Sequence, residues 1–137
     1  MDTAKRIIEQ YKASNRFGDF LGMDFTLVAP GQVNYSLPLK PEFEALPGTT
    51  HGGLIAALMD GLLGVTALSA VADAGCLVST VEFKINYLNP AKTGSILEGK
   101  GQVIRQGKRL QVVEGEIKVG DLIIAKAMGT FNVYPAR

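Results

Sequence analysis

The sequence predicts an α+β domain in which a six-stranded antiparallel sheet wraps around one long central helix. The stretch from Leu54 to Ala72 contains one charged residue and has no polar face, so a helix formed from it has to be surrounded by other elements. Two strand-like segments precede this helix and four follow it. Short turns separate successive strands, which makes the connections hairpins and the sheet antiparallel.

The N-terminal third of the chain predicts a surface helix followed by a hairpin. Residues 3–17 repeat apolar side chains at helical spacing between charges, and Phe20-Leu21 between two glycines indicates a turn. Residues 24–29 and 32–37 alternate polar and apolar side chains around Pro-Gly, which predicts two paired strands. Three prolines and a glycine make residues 38–48 a loop.

The rest of the chain supplies the central helix and the remaining strands. The helix is expected to begin at His51-Gly52-Gly53 and to end near residues 73–75. Strands are then predicted over the following four segments: 77–88, 96–105, 110–119 and 122–134. This order of elements is that of the hotdog fold, and the alternative is an open α+β sandwich with the helix on one face. The predicted helix has no polar face to expose to solvent, which favours a sheet that wraps around it over an open sandwich.

Length, charge and cysteine content exclude several classes of protein. With 137 residues we expect a single domain over residues 1–137, in which residues 1–20 form an N-terminal helical segment. One Cys and one His exclude a disulfide framework and a metal site that needs several such ligands. A net charge of +1 argues against nucleic-acid or anionic-membrane binding. No signal-peptide core is recognisable, so we expect a cytoplasmic protein. We also expect it to need no metal or cofactor.

The start of the central helix is a candidate binding site. Thr50-His51-Gly52-Gly53 precedes the apolar run, and the free N–H groups at a helix start attract an anion or a developing oxyanion. Glycine lets a ligand approach the backbone without a Cβ in the way. The alternative is that the two glycines only ease a tight turn. A lone His is more often structural than catalytic.

Asp60 is the second candidate. It is the only ionisable residue between His51 and Asp73, in a helix predicted to be buried. Burial of an unpaired carboxylate is costly. None of the positions three or four residues away, which are Ala56, Ala57, Leu63 and Gly64, carries a cation. Asp60 is therefore expected to line a cleft and to be functional.

Helix geometry predicts that these two candidates act together only in a dimer. Gly52 and Asp60 are eight residues apart, or roughly 12 Å along a helix. Two such helices running antiparallel across a two-fold axis would place Gly52 of one chain near Asp60 of the other. We therefore expect at least a homodimer.

Several motifs of the chain resemble those of one family. These are His51-Gly52-Gly53 followed by Asp60, the strand 80–91 (TVEFKINYLNPA), Gln106-Gly107-Lys108-Arg109 and residues 127–131 (AMGTF). Together, over about residues 20–133, they resemble the PaaI-like branch of the hotdog-fold acyl-CoA thioesterases.

The resemblance implies hydrolysis of an acyl- or aryl-acyl-CoA to free acid and CoA. It implies that the Gly52 N–H polarises the thioester carbonyl and that Asp60 is general base or nucleophile. His51 would orient the loop or the substrate, Thr80 would assist the attacking water, and Gly53 would belong to the substrate-binding loop. Family members form dimers and often dimers of dimers, which implies a homotetramer.

The chain departs from the family pattern at one position. At a second position, strand alternation predicts that the side chain points away from the central helix. Many relatives carry Asn or Gln six residues before the His, where this chain has Ala45, and the adjacent Glu44 is the candidate substitute. Thr80 shares strand parity with the polar residues Glu82, Lys84 and Asn86. Alternation therefore predicts that Val81 and its apolar neighbours face the helix instead.

Other residues allow a functional and a structural interpretation. Arg105, Lys108 and Arg109 cluster at one predicted hairpin turn and either contact the CoA phosphates or are ordinary solvated charges. Cys76 is expected to be a buried structural thiol. The apolar residues Phe17, Phe20 and Leu21 cover either the acyl chain or the core.

Two other functions compete with hydrolysis. One is a hotdog dehydratase acting on hydroxyacyl thioesters, in which His51 and Asp60 would be the acid and base. The other is a non-catalytic acyl-CoA binding module, which the absence of an amide at Ala45 leaves open. The acyl group, the choice between dimer and tetramer, and the role of Asp60 as base or nucleophile are open at this stage.

Overall fold

The computed structural model describes residues 2–137 and contains three α-helices and eight β-strands. The helices are α1 (Thr3–Ser14), α2 (Arg16–Leu21) and α3 (Gly52–Val71). The strands are β1 (Asp24–Ala29), β2 (Gln32–Pro38), β3 (Glu44–Leu46), β4 (Thr49–Thr50), β5 (Cys76–Tyr87), β6 (Ile96–Gln106), β7 (Leu110–Val119) and β8 (Leu122–Pro135). Single 3-10 turns cover Pro41–Phe43 and Ala72–Ala74.

Six strands form one antiparallel sheet in the order β1-β2-β6-β7-β8-β5, and α3 packs against it. This arrangement confirms the predicted hotdog fold. The predicted loop before the helix also contains β3 and β4, which pair with each other in a small separate sheet. Within the described residues, β5 forms one edge of the main sheet, so its outer side lacks a neighbouring strand.

The core lies between α3 and the inner face of the sheet. Leu58, Met59, Leu62 and Leu63 of α3 are fully buried. Strand glycines allow the close approach: an added Cβ at Gly101 would overlap Thr66 Oγ1, and one at Gly115 would lie 2.9 Å from Met59 Sδ. The segment Gly52–Ala74 is long and apolar enough to cross a membrane, but 67% of its most apolar window is buried inside the fold.

One side of α3 is not covered by this chain, contrary to the expectation of full wrapping. Gly53 is exposed, and Ala56, Ala57, Asp60, Gly61 and Gly64 are only half-buried. They recur at helical spacing and form a stripe on one helix face. The sheet of one chain ends at β5, so it encloses only part of the circumference of α3. Asp60 is consequently half-buried, and it lines a cleft as expected.

The N-terminal segment forms two helices, and the turn predicted at residues 20–21 is wrong. Phe20 and Leu21 belong to α2, which begins where the Asn15 side chain accepts a 3.2 Å hydrogen bond from Gly18 N–H. This helix ends at Gly22, whose φ of +92° suits glycine. Ile7 of α1 packs against the C-terminal part of α3.

A β-bulge at Val81 changes the parity of β5. Thr80 lies opposite Phe131 and Glu82 lies opposite Thr130, so Val81 is the extra residue. Val81 is 58% exposed instead of facing the helix. The predicted parity of Thr80 is therefore wrong, because alternation assumes a regular strand and the bulge turns Thr80 toward α3.

Candidate active site

A cavity of about 810 Å³ lies between α3, β5 and the N-terminal helices. The uncovered stripe of α3 forms one wall, and Thr80 and Phe83 of β5 adjoin it. Polar side chains of α1 and of the segment that follows it line another part, namely Gln10, Ser14 and Asn15. Apolar side chains line much of the rest, namely Ile7, Phe17, Met23, Leu68, Leu77, Val78 and Phe131. Asp60 is the only charged residue that lines the cavity among the described residues. The cavity therefore combines one carboxylate with space for an apolar group.

Asp60 has a hydrogen-bond partner on the neighbouring strand. The Thr80 hydroxyl donates a 2.7 Å hydrogen bond to Asp60 Oδ1. The bulge at Val81 makes this contact possible, because it turns Thr80 toward the helix. The structure therefore brings together two residues that regular alternation had separated. The bond fixes one carboxylate oxygen and leaves Oδ2 free to contact water or a ligand.

The first turn of α3 is held by two side chains. His51 is the N-cap, and its Nδ1 accepts a 2.7 Å hydrogen bond from Gly53 N–H. The Tyr87 hydroxyl donates a 2.8 Å hydrogen bond to the Gly52 carbonyl. Within residues 2–137 the Gly52 N–H has no acceptor. It is a free donor at the positive end of a 20-residue helix.

The two glycines at this helix start differ in what they require. A Cβ at Gly53 would lie 2.9 Å from His51 Nδ1, so Gly53 allows the capping contact. A Cβ at Gly52 would meet only the Tyr87 ring, at an ordinary distance of 3.5 Å. No contact within residues 2–137 therefore explains a glycine at position 52. A glycine at position 52 leaves the backbone N–H accessible to a ligand, because no Cβ stands in the way.

Two tyrosines missed by the sequence analysis lie behind Asp60. Tyr11 lines the cavity from α1; burial raises its pKa, and the charge of Asp60 raises it further. Tyr35 lies behind Gly61, with a buried hydroxyl that has no hydrogen-bond partner in the described part of the chain. Burial raises the pKa of Tyr35 as well. Both phenols are therefore neutral at physiological pH, and Asp60 has no cation beside it in the cavity.

The other predicted site residues lie away from this cavity. Glu44 is half-buried and accepts a hydrogen bond from the Thr93 hydroxyl, and neither Glu44 nor the exposed Ala45 lines the cavity. Arg105 and its two basic neighbours are exposed at the β6–β7 turn, near the C-terminal end of α3. One chain therefore does not bring the basic turn next to Asp60.

The other residues for which the sequence allowed a structural or a functional interpretation lie in different surroundings. Phe17 is 61% exposed and lines the cavity, whereas Leu21 is buried in the core. Phe20 is exposed and does neither. Cys76 is half-buried instead of buried, since it begins the edge strand β5.

Gly52 and Asp60 lie on one uninterrupted helix, as the length argument assumes. Their separation is eight residues, or roughly 12 Å along the axis. The Gly52 N–H of one chain therefore cannot touch an atom that also contacts Asp60 of the same chain. No group of three or more His, Cys, Asp or Glu side chains in residues 2–137 is arranged to hold a metal ion.

A family comparison decides the class of protein. Residues 47–125, which include the helix start, Asp60 and Thr80, match the model of the thioesterase superfamily. The chain belongs to the thioesterase superfamily. The PaaI-like resemblance is confirmed, and this thioesterase is a thioester hydrolase.

Relatives of the thioesterase share most of its length. A Saccharolobus solfataricus protein named "Putative esterase" is 37% identical over 96% of this chain and 93% of its own. Human acyl-coenzyme A thioesterase 13 is 32% identical over 77% of this chain and 75% of its own. The Escherichia coli PaaI protein, from the phenylacetic acid degradation operon, shares the fold with a TM-score of 0.87 at 19% identity, covering 98% and 95% of the two chains.

One structural neighbour was solved with a ligand. It is a hypothetical thioesterase protein of Streptococcus pneumoniae with coenzyme A, which has a TM-score of 0.75 at 25% identity. The alignment covers 84% of this chain and 90% of that one.

Proposed function

We propose that this thioesterase hydrolyses acyl-CoA esters, with Asp60 as general base or nucleophile and the Gly52 N–H as the group that polarises the carbonyl. The observation that carries the proposal is the Asp60 carboxylate, held by Thr80 on the wall of a largely apolar cavity. A carboxylate in such a place can activate water beside a bound acyl group. The relatives named as acyl-CoA thioesterases and the neighbour with coenzyme A support this substrate class.

In the general-base form of the mechanism, Asp60 takes a proton from water while the water oxygen attacks the thioester carbon. Negative charge develops on the carbonyl oxygen, and the Gly52 N–H accommodates it at the positive end of α3. The tetrahedral intermediate then expels the CoA sulfur, which takes up the proton. In the nucleophile form, Asp60 attacks the thioester carbon and displaces the CoA thiolate, which takes a proton from water. Water then cleaves the resulting mixed anhydride into the free acid and the Asp60 carboxylate. In both forms Thr80 orients Asp60 through Oδ1.

The proposed site combines two subunits. Gly52 lies beside Tyr87 at one end of β5, and Asp60 lies beside Thr80 toward the other. An antiparallel pairing of two β5 edges that sets Thr80 opposite the partner's Tyr87 has its two-fold axis at Lys84, because the extra residue Val81 takes no position in the register. This pairing also sets the partner's Gly52 next to Asp60, and it covers the stripe of small residues on α3.

The parts of the substrate fit different regions of the protein. The apolar part of the cavity suits an aliphatic or aryl acyl group. Arg105, Lys108 and Arg109 are exposed and are our candidates for the CoA phosphates. These residues are remote from Asp60 of their own chain, so in this proposal they belong to the opposite end of the substrate or to the partner's site. A homotetramer remains part of the proposal.

The geometry of His51 argues against the dehydratase alternative. Its Nδ1 lone pair accepts the Gly53 N–H, so the neutral ring carries its proton on Nε2. Nε2 can then donate a hydrogen bond to substrate but cannot accept a proton. His51 is thus suited to orienting a ligand and unsuited to the base role that dehydration requires.

The test is thiol release from a panel of acyl-CoA esters by wild type and by Asp60→Asn. We expect the variant to keep its fold and to lose at least about 10²-fold in kcat, which is the usual effect of removing a positioned base. Asp73→Asn is the matched control, because Asp73 is an exposed aspartate just beyond the same helix. Equal turnover by wild type and Asp60→Asn would remove Asp60 from the mechanism. Tight binding of acyl-CoA by wild type without thiol release would instead favour a binding module.

A further inference from the structure

The Gly52–Gly53 peptide unit at the start of α3 is held at both of its polar ends. The Tyr87 hydroxyl donates to its carbonyl at 2.8 Å, and its N–H donates to His51 Nδ1 at 2.7 Å. A peptide unit is planar, so two contacts on opposite edges fix the rotation of the whole plane. Other N–H groups in the first turn of a helix usually lack this restraint.

We infer that Tyr87 is a positioning residue that sets the direction of the Gly52 N–H. The inference rests on the proposed function, in which this N–H receives the thioester carbonyl oxygen. The Gly52 N–H belongs to the preceding peptide, and its direction depends on the backbone angles at Gly52. Glycine restrains those angles weakly. The hydrogen bond from Tyr87 supplies the restraint that a side chain at position 52 would otherwise give.

The surroundings of Gly52 independently indicate a ligand with a hydrogen-bond acceptor. Thr50, Gly52 and Tyr87 line a groove of about 350 Å³. Thr50 is only 5% exposed, and its hydroxyl has no hydrogen-bond partner among the described residues. The Gly52 N–H in the same groove also has no acceptor. Buried polar groups are normally paired, so two unused donors in one groove favour a carbonyl or another acceptor bound there.

A purely structural role for Tyr87 makes a different prediction. Tyr87 is 49% exposed, and a hydrogen bond at such a site contributes little to the stability of the fold. If the bond only anchored the helix start, its loss would leave turnover unchanged or lower it only in proportion to unfolding. A positioning role instead affects the step in which charge develops on the carbonyl oxygen.

The first experiment compares Tyr87→Phe with wild type. The ring and its packing remain, and only the hydroxyl is lost. We expect kcat to fall about tenfold and KM to change less than about twofold, because a misdirected Gly52 N–H would stabilise the transition state less. The thermal midpoint should remain the same, because the exposed hydrogen bond contributes little to stability. Lys12→Met is the matched control: Lys12 also donates from an exposed side chain to a backbone carbonyl, that of Phe25, and lies outside the cavity. Its kcat should equal that of wild type.

The second experiment observes the carbonyl directly. An acyl-CoA with a ¹³C-labelled thioester carbonyl is bound to Asp60→Asn, which cleaves it slowly, and its stretching frequency is measured by difference infrared spectroscopy. We expect the frequency to lie below that of free substrate, and to return toward the free value when Tyr87→Phe is added. An unchanged frequency and an unchanged kcat in Tyr87→Phe would overturn the inference. Absence of thioester cleavage by wild type would instead overturn the proposed function.

Discussion

The hydroxyl of Thr80 donates a 2.7 Å hydrogen bond to Oδ1 of Asp60, which joins the middle of the central helix to the edge strand of the sheet. The contact exists because Val81 is an extra residue in β5. The bulge turns the Thr80 side chain inward and the Val81 side chain outward. A local irregularity in one strand therefore orients the carboxylate on which the proposed chemistry depends.

The hydroxyl of Thr80 should matter more than its size. Thr80→Val is nearly isosteric but cannot donate to Asp60. We expect kcat to fall about tenfold, because the carboxylate loses the group that orients it. Thr80→Ser keeps a donor and should retain most of the activity. Steady-state thiol release measures kcat for both variants. An equal loss of kcat in Thr80→Val and Thr80→Ser would contradict a role for the hydroxyl.

The backbone N–H of Gly52 can be removed without changing the helix. Gly52 is the first residue of α3, where proline is well tolerated, and His51 has the extended conformation (φ −61°, ψ 134°) that a following proline requires. Gly52→Pro should therefore fold normally. We expect it to lose about 10²–10³-fold in kcat, as expected for an oxyanion donor.

Gly52→Ala is the control for this prediction. It keeps the N–H, and its Cβ would lie 3.5 Å from the Tyr87 ring, which is an ordinary contact. Circular dichroism and the thermal midpoint should be similar for the two variants. If Gly52→Pro and Gly52→Ala reduced turnover equally, the loss would come from crowding near the backbone and not from removal of the N–H.

Close packing of the helix against the sheet predicts a stability effect at Gly101. A Cβ at this position would overlap the hydroxyl of Thr66, which is fully buried in α3. We expect Gly101→Ala to lower the free energy of unfolding by about 1–3 kcal/mol, as overpacking in a core usually does. Lys100→Ala changes the preceding residue of the strand, which is exposed, and should have little effect. Urea unfolding compares them, and equal midpoints would contradict the packing described.

Ion pairs on the outer face of the sheet predict a pH-dependent contribution to stability. Burial alone would raise the pKa of Glu116, but the contacts with Lys126 at 3.2 Å and Lys118 at 3.3 Å lower it overall. A lowered pKa means that the folded state favours the ionised carboxylate. The stabilisation is therefore present above the usual glutamate pKa and is lost as the pH falls through the lower folded value.

The measurement is the unfolding free energy of wild type and Glu116→Gln between pH 7 and pH 3. Both lysines are substantially exposed, so we expect a difference of less than about 1 kcal/mol at neutral pH. The difference should shrink toward zero at the acidic end. A difference that grows on acidification would contradict the assigned direction of the pKa.

The fold was largely predictable because its signals are periodic. An apolar run without a polar face predicted α3, and alternation with turn residues predicted the hairpins. Several expectations failed, among them the turn at residues 20–21 and the burial of Cys76. Two further failures concern the site and have local physical reasons. The stripe that contains Asp60 is only half-buried because one chain offers six strands, and Thr80 faces inward because of a bulge that composition does not reveal.

The part of the candidate site that could be predicted from the sequence is its carboxylate. Asp60 stood out because it is a lone charge in an apolar segment. The positions of Tyr11 on the cavity wall and of Tyr87 beside Gly52 were not visible, since each lies near residues that are distant in sequence: Tyr87 reaches Gly52 over 35 residues. The tetramer, the cytoplasmic location and the binding of phosphates by the basic turn remain predictions.

The central claim is that one site is built from two chains, and complementation tests it most directly. Gly52→Pro and Asp60→Asn, each carrying a different affinity tag, are co-expressed and the mixed dimer is isolated. It contains one site with both Asp60 and the partner's Gly52 N–H, and one site with neither. The account predicts about half the wild-type kcat per mixed dimer. A mixed dimer no more active than the two parent variants would contradict it.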